Sequence, residues 1–233
     1  MNDRQIVACG GMTEAWAEPL ENYVLALTGK RRPKVCFLPT ATGDSAERTL
    51  RFYEAFAAGK ADATHLGLFD RKVQNLRALL LGQDVIQVGG GNTANMLAVW
   101  RVHGVDAILR DAWEAGVVLT GVSAGAVCWF EACVTDSFGG TDGLADGLGF
   151  LPGSMCPHYD SEPARRPAFR RLVAEGFPEG YAAEDDVALH FLGSELEAAV
   201  SARPAGRAFR VEVAGGEARE SELDVRRLGG HAT

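Results

Sequence analysis

The chain has 233 residues, 47% of them hydrophobic and 23% charged, which suits one sizeable domain with a full core and little left over for a second. A formal charge of −8 argues against a phosphate-backbone binder, because Arg165, Arg166, Arg170 and Arg171 form only a local basic cluster in an acidic chain. No apolar run reaches the roughly 20 residues needed to span a bilayer, and Met1–Gln5 leads straight into a strand-like segment, so a cytoplasmic protein without nucleic-acid or membrane partners is expected.

In chain order, Gln5–Cys9, Lys34–Leu38, Ala63–Leu68, Asp84–Val88 and Val117–Thr120 are short apolar segments, mostly ended by Gly or Pro, and predict strands. Pro19–Leu27, Ser45–Ala58, Val73–Leu81, Ala94–Val102 and Ala107–Ala115 predict the helices between them. Repeated strand, helix and strand predict an α/β fold, a three-layer sandwich whose mostly parallel sheet carries its site at the carboxyl ends of the strands. Ala124–Phe130 predicts another helix, as does Arg165–Ala174. Val187–Phe191, Ala198–Ala202 and Ala208–Val213 then predict additional C-terminal strands that extend the sheet or form a flap, and a tail from Leu228 is expected to be disordered. The five cysteines, odd in number and in apolar settings, predict buried free thiols; neither Cys-x-x-Cys nor His-x-x-x-His occurs, and no metal or organic cofactor is expected.

Gly121-Val122-Ser123-Ala124-Gly125 lies between a predicted buried strand and a predicted helix, the setting of a nucleophile elbow. Two glycines leave room for a strained turn that projects the Ser123 hydroxyl, while the first N–H groups of the helix point at a developing negative charge. A strand-to-helix turn with a capping serine is the competing reading. Gly89-Gly90-Gly91-Asn92-Thr93 also follows a buried strand and opens a helix, so it can cradle an anion or complete an oxyanion hole. It lacks the lysine of a P-loop and the spacing of Gly-x-Gly-x-x-Gly.

A serine needs a base, commonly a histidine oriented by a carboxylate. His65, His103, His190 and His231 lie in strand, helix-end, strand and tail settings and read as structural or solvated. His158, in the proline-stiffened Cys156-Pro157-His158-Tyr159-Asp160, is the candidate base. Candidate acids between the two are Glu131, Asp136, Asp142 and Asp146. Glu131, about two turns into the predicted helix, is expected to point away; Asp142 and Asp146 sit among glycines typical of turns.

Gly89–Thr93, Gly121–Ala126 and Pro157-His158-Tyr159, in this order, resemble the peptidase E family of serine peptidases, which includes aspartyl dipeptidase and, more distantly, cyanophycinase. The resemblance implies a flavodoxin-like sheet related to class I glutamine amidotransferases and a triad in the chain order Ser, Asp or Glu, His. Ser123 is then the nucleophile, His158 the base, Asp136 the acid in preference to Glu131, and the N–H groups of Gly91 and Ala124 the oxyanion hole. Gly90 and Asn92 are expected beside the substrate, and Arg165 or Arg166 is a candidate ligand for a substrate carboxylate. The implied partner is a small peptide cleaved through an acyl-enzyme; a homodimer is the assembly held open. A non-catalytic anion-binding or sensor domain on the same fold and a cyanophycinase-like isopeptide hydrolase are the alternatives.

Overall fold

The computed structural model describes residues 4–13, 18–56 and 59–229. These form β1 (Gln5–Cys9), α1 (Glu18–Leu27), β2 (Lys34–Leu38), α2 (Ala46–Ala55), β3 (Asp62–His65), α3 (Leu76–Leu81), β4 (Val85–Val88), α4 (Thr93–His103), α5 (Val105–Glu114) and β5 (Val118–Val122). A four-residue helix α6 (Ala124–Val127) leads to β6 (Phe130–Thr135), β7 (Asp142–Leu144), β8 (Leu151–Cys156) and α7 (Arg165–Ala174). The chain closes with β9 (Gly180–Ala183), β10 (Val187–Leu192), β11 (Glu195–Ser201), β12 (Ala208–Ala214), β13 (Glu217–Glu222) and β14 (Val225–Arg227).

The described strands make two sheets. One runs β14-β11-β10-β1-β5-β4-β2-β3, with β1, β5, β4, β2 and β3 parallel and β10 antiparallel to β1. Alternate side chains of its strands point to opposite faces, and each face is apolar. Val7, Val35, Phe37 and Val118 pack with Leu20 and Val24 of α1 and Phe52 of α2. Ile6, Cys36, Leu38 and Leu119 pack with Leu80, Met96, Trp100 and Leu109 from α3, α4 and α5. Helix, sheet and helix are therefore the three layers expected, and the carboxyl ends of the parallel strands β1, β5, β4, β2 and β3 open on the same rim.

The second sheet, β13-β12-β9-β8-β6-β7, has no counterpart in the expected extension or flap; β10 and β11 extend the first sheet, whereas β12 belongs to the second. Its Cys133 and Met155 join the large core against the first sheet, while Val134, Cys156 and Val211 pack with Phe169 and Val173 of α7. The helix expected over Ala124–Phe130 stops at Val127, and Phe130 begins β6. That run is buried throughout, and an apolar stretch buried on every side does not reveal its period. Leu228, assigned to the disordered tail, is buried, and its N–H donates to the Ser201 carbonyl at 2.8 Å; residues 230–233, including His231, lie outside the described residues. All five cysteines are free and buried, and burial pushes the Cys9 thiol up to about 12.

Candidate active site

Ser123 sits where β5 gives way to α6, with φ 53° and ψ −116°, a conformation that costs an L-residue on the order of 1–3 kcal/mol. The turn is possible only because its flanks lack side chains. A Cβ at Gly121 would overlap the Gly125 carbonyl, and one at Gly125 would overlap the Val88 carbonyl of β4. The Ser123 N–H donates to the Cys9 carbonyl at 3.0 Å, while the N–H groups of Ala126 and Val127 return to the Ser123 carbonyl at 2.8 and 2.9 Å. Backbone bonds thus lock the residue and leave its hydroxyl outside the helix; the capping-serine alternative lacks its defining bond, since the side chain makes no cap hydrogen bond.

His158 follows β8 and also has a positive φ, 52°. Its Nε2 lies 2.9 Å from Ser123 Oγ, and its Nδ1 lies 2.7 Å from Asp185 Oδ1. Asp185 stands in the acidic turn Glu184-Asp185-Asp186 between β9 and β10, with its N–H donating to Asp160 Oδ1 at 3.0 Å. Burial raises the Asp185 pKa, but hydrogen bonds from His158 and Ser161, with the charges of His158 and Arg203, outweigh it and hold the carboxyl below its ordinary value. An ionised carboxylate only accepts, so Nδ1 carries the imidazole proton and Nε2 is free to accept from the serine hydroxyl. Such a line can move a proton off Oγ as the oxygen attacks.

The end of β1 holds this line together. Gly10 accepts the His158 N–H at 3.2 Å, Gly11 accepts the Asp186 N–H at 2.8 Å, and a Cβ at Gly11 would overlap both Asp185 Oδ1 and His158 Nδ1. Thr13 donates from its hydroxyl to Asp186 Oδ2 at 2.6 Å. In front of Ser123 lies a cleft of about 360 Å³, within the size range of small-ligand sites. Met12, Phe37 and Val122 give it an apolar wall, and Gly89, Gly90 and Gly91 form its floor. A Cβ at Gly90 would stand 3.3 Å from Ser123 Cβ, and at Gly91, where φ is 140°, it would overlap the Ala41 carbonyl, so the loop backbone itself borders the serine. Among the described residues, no acceptor engages the N–H of Gly91 or of Ala124.

Other expected site residues lie elsewhere. Asp136 is exposed and 3.5 Å from Arg165, not at His158. Glu131 lies on β6, its Oε2 accepting the Gly153 N–H at 2.9 Å. Asp142 is 3.4 Å from Arg171, and Asp146 holds Arg101 through both carboxylate oxygens. Asn92 caps α4 through Asn95 N–H and donates to the Ser137 carbonyl, so its side chain serves the loop. Arg165 is buried, bonded to the Val134 carbonyl and Glu162. Arg166 pairs with Glu220 and lies over the rings of Tyr159 and Phe209. Neither arginine borders the cleft; Arg48 and Arg51 of α2 do. His190 is buried between Tyr23 Oη and Gln5 Oε1, with burial lowering its pKa; His65 meets Tyr53 and His103 meets Arg71 on the surface.

The sequence model of peptidase family S51 matches residues 6–199. An uncharacterized peptidase, YgaJ, from Bacillus subtilis (strain 168) is 46% identical over 230 residues, covering 97% of this chain and all of the relative. Two crystal structures share the fold. A Listeria monocytogenes EGD-e protein named after peptidase E is 20% identical with a TM-score of 0.63, covering 83% of this chain and 96% of its own. A peptidase from an acI-B1 actinobacterium is 15% identical with a TM-score of 0.67, over 96% of this chain and 95% of its own.

Proposed function

The chain belongs to peptidase family S51, and from that premise we propose that it cleaves small peptides through an acyl-enzyme on Ser123. It is a serine peptidase, and the non-catalytic sensor alternative gives way to that. In the proposed reaction His158 takes the Ser123 proton as Oγ attacks the peptide carbonyl, then gives it to the leaving amine; water repeats the sequence to release the acid. Asp185, rather than Asp136 or Glu131, fixes the imidazole tautomer and stabilises the imidazolium. The N–H groups of Gly91 and Ala124 receive the oxyanion, and the Gly90 backbone flanks the substrate.

One observation carries this reading: the unbroken hydrogen-bonded line from Ser123 Oγ through His158 to Asp185, ending at a serine in a strained turn. The modest cleft favours dipeptides or peptide ends over folded substrates. A cytoplasmic site of action is part of the proposal and fits five reduced, buried thiols. Among the described residues no helix is long and apolar enough to cross a membrane.

Incubation with a fluorophosphonate, followed by intact mass and peptide mapping, tests the nucleophile. The expected result is one adduct on Ser123 and no cleavage of a dipeptide library by Ser123→Ala, a loss of several orders of magnitude in rate. Wild-type cleavage by the Ser123→Ala protein would overturn the mechanism.

A further inference from the structure

The turn that carries Asp185 is bound by more than the end of β1. Residues 202–207, which take the chain from β11 in the first sheet to β12 in the second, run along it. The Ala202 N–H donates to the Asp186 carbonyl at 2.9 Å, and the Glu184 N–H donates to the Arg207 carbonyl at 3.1 Å. Arg203 is pinned at the start of this connection: its N–H donates to Ser201 Oγ at 3.2 Å, and its carbonyl accepts from the same hydroxyl at 2.8 Å. From there its Nη2 donates to Asp160 Oδ2 at 2.6 Å and to Glu184 Oε2 at 2.9 Å. Asp160 lies just past His158, and its other oxygen takes the Asp185 N–H; Glu184 immediately precedes Asp185. One guanidinium nitrogen therefore joins the turn that bears the base to the turn that bears the acid. Arg207 engages Glu184 but not Asp160, so Arg203 is the cation among the described residues that spans both turns. Its Nε is buried without a hydrogen-bond partner among the described residues, so the head sits where its two carboxylates require at the expense of one donor. It stays clear of the cleft in front of Ser123.

We propose that Arg203 is a positioning residue for the peptidase reaction, acting through Asp160 and Glu184 to hold the Asp185 carboxylate on His158 Nδ1. This rests on the acyl-enzyme reading above and adds a residue to it. Hydrogen bonds between ionised partners are short and strong, and the N–H bonds of a planar guanidinium diverge at fixed angles, so two carboxylates held by it keep a fixed separation. A rotating ammonium imposes no such spacing. Asp160, Glu184, Asp185 and Asp186 bring four carboxylates to one corner of the fold. Without the cation between them the charges of Asp160 and Glu184 repel, the two turns part, and Asp185 moves off the imidazole. The charge of Arg203 also favours the ionised form of Asp185, which is the form that keeps the imidazole proton on Nδ1.

Arg203→Met, Arg203→Lys and Asp160→Asn test the assignment, each alone and in the Asp185→Asn protein. Turnover of the best library peptide is counted per Ser123 that reacts with a fluorophosphonate at the endpoint, so unfolded protein does not enter. Arg203→Met is expected to lower kcat and the rate of labelling on the order of tenfold to a hundredfold with KM nearly unchanged, as displacement of the acid by up to about 1 Å would. Arg203→Lys keeps the charge without the fork and should recover part of the rate. Asp160→Asn frees Arg203 from the base turn and leaves Glu184 paired with both arginines; it should show a smaller loss in the same direction, and it carries the test if Arg203→Met does not fold. In the Asp185→Asn protein none of the three should lower kcat by more than about twofold further, because the carboxylate through which Arg203 works is gone. A residue that only supports the fold would lower the urea midpoint and leave kcat per labelled site intact, or would cost the same factor with and without the Asp185 carboxylate, and either result overturns the proposal. A rise in KM at constant kcat overturns it as well. Absence of Ser123 labelling in the wild type would instead fail the acyl-enzyme reading, so the two failures give different results.

Discussion

Asp185 Oδ1 stands 2.7 Å from His158 Nδ1, and Gly11 is wedged so closely against both that any side chain there would overlap them. His158 follows β8 and Asp185 follows β9, parallel neighbours in the second sheet, and the end of β1 from the first sheet lies against both turns and binds their backbones. The candidate site is thus assembled at the junction of the sheets, with Ser123 delivered from β5, the neighbour of β1.

Asp185→Asn is expected to lower kcat on the order of 10⁴-fold, by analogy with the buried aspartate of the serine protease triad, because an amide at that place no longer selects the Nδ1–H tautomer. Asp136→Asn should leave kcat unchanged. Its exposed contact to Arg165 is worth at most about 1 kcal/mol of stability. Steady-state kinetics of the two variants on the best library peptide decide between them, and a large loss confined to Asp136→Asn would return the acid to the segment between Ser123 and His158.

Much of the first sheet is legible in the sequence because its strands are buried on both faces and punctuated by glycine, and because strand–helix alternation dictates a parallel sheet. Ser123 and His158 stand out for the same local reason: each sits at a sharp, stiffened turn. Asp185 does not. A search confined between the serine and the histidine excludes it, yet unrelated serine hydrolases place the three groups in different chain orders, so geometry imposes no such window. The available signal was Glu184-Asp185-Asp186, three consecutive acids between the apolar runs of β9 and β10, where charge is costly unless each carboxylate has a partner. Each has one: Arg203 and Arg207, His158, and Thr13 respectively. The second sheet was hidden because β6 begins inside an apolar run without period, and Arg165 reads as a surface charge although its head is hydrogen-bonded in the interior.

Gly11→Ala tests the wedge. The added methyl must displace His158 or Asp185, and since a misplacement of about 1 Å costs on the order of 10²-fold in rate, kcat should fall by that much. The rate of fluorophosphonate labelling should fall in parallel. Unchanged labelling would mean that the β1 terminus tolerates the methyl by moving away from both residues.

Arg165→Gln should act on stability rather than on substrate affinity. The buried guanidinium bonds the Val134 carbonyl of β6 and pairs with the solvent-accessible Glu162, so removing it leaves a buried carbonyl without its partner, a loss of about 1–3 kcal/mol. Urea unfolding should show a lower midpoint, with KM for acidic and neutral peptides shifted alike. A KM effect confined to acidic peptides would restore Arg165 as a substrate ligand.

Acid should remove what Asp185 contributes to stability. Its carboxyl is depressed in the folded protein, so the ionised form is favoured by folding; that stabilisation is complete above the unfolded carboxylate value, about 3.9, and is lost as pH falls through the lower folded value. The Tm difference between wild type and Asp185→Asn should therefore shrink between pH 6 and pH 3. A difference that stays constant across this range would show that the carboxylate gains nothing from His158.

Glu21 behaves in the opposite sense. It lies on α1 with its side chain buried among Val7, Leu25 and Phe56, its Oε1 has no hydrogen-bond partner, and burial pushes its pKa up to about 7. The folded state then holds a proton that the unfolded chain has lost between about pH 4.5 and pH 7, so stability falls as pH rises across that window and the penalty is complete above it. Glu21→Gln removes the ionisation without removing the shape. At pH 8 it should stabilise the protein by on the order of 2 kcal/mol after allowance for screening, with a higher urea midpoint, and at pH 4 the two proteins should unfold at nearly the same denaturant concentration. Equal midpoints at pH 8 would mean that the folded protein hydrates the carboxylate beneath α1 and that its charge costs nothing there.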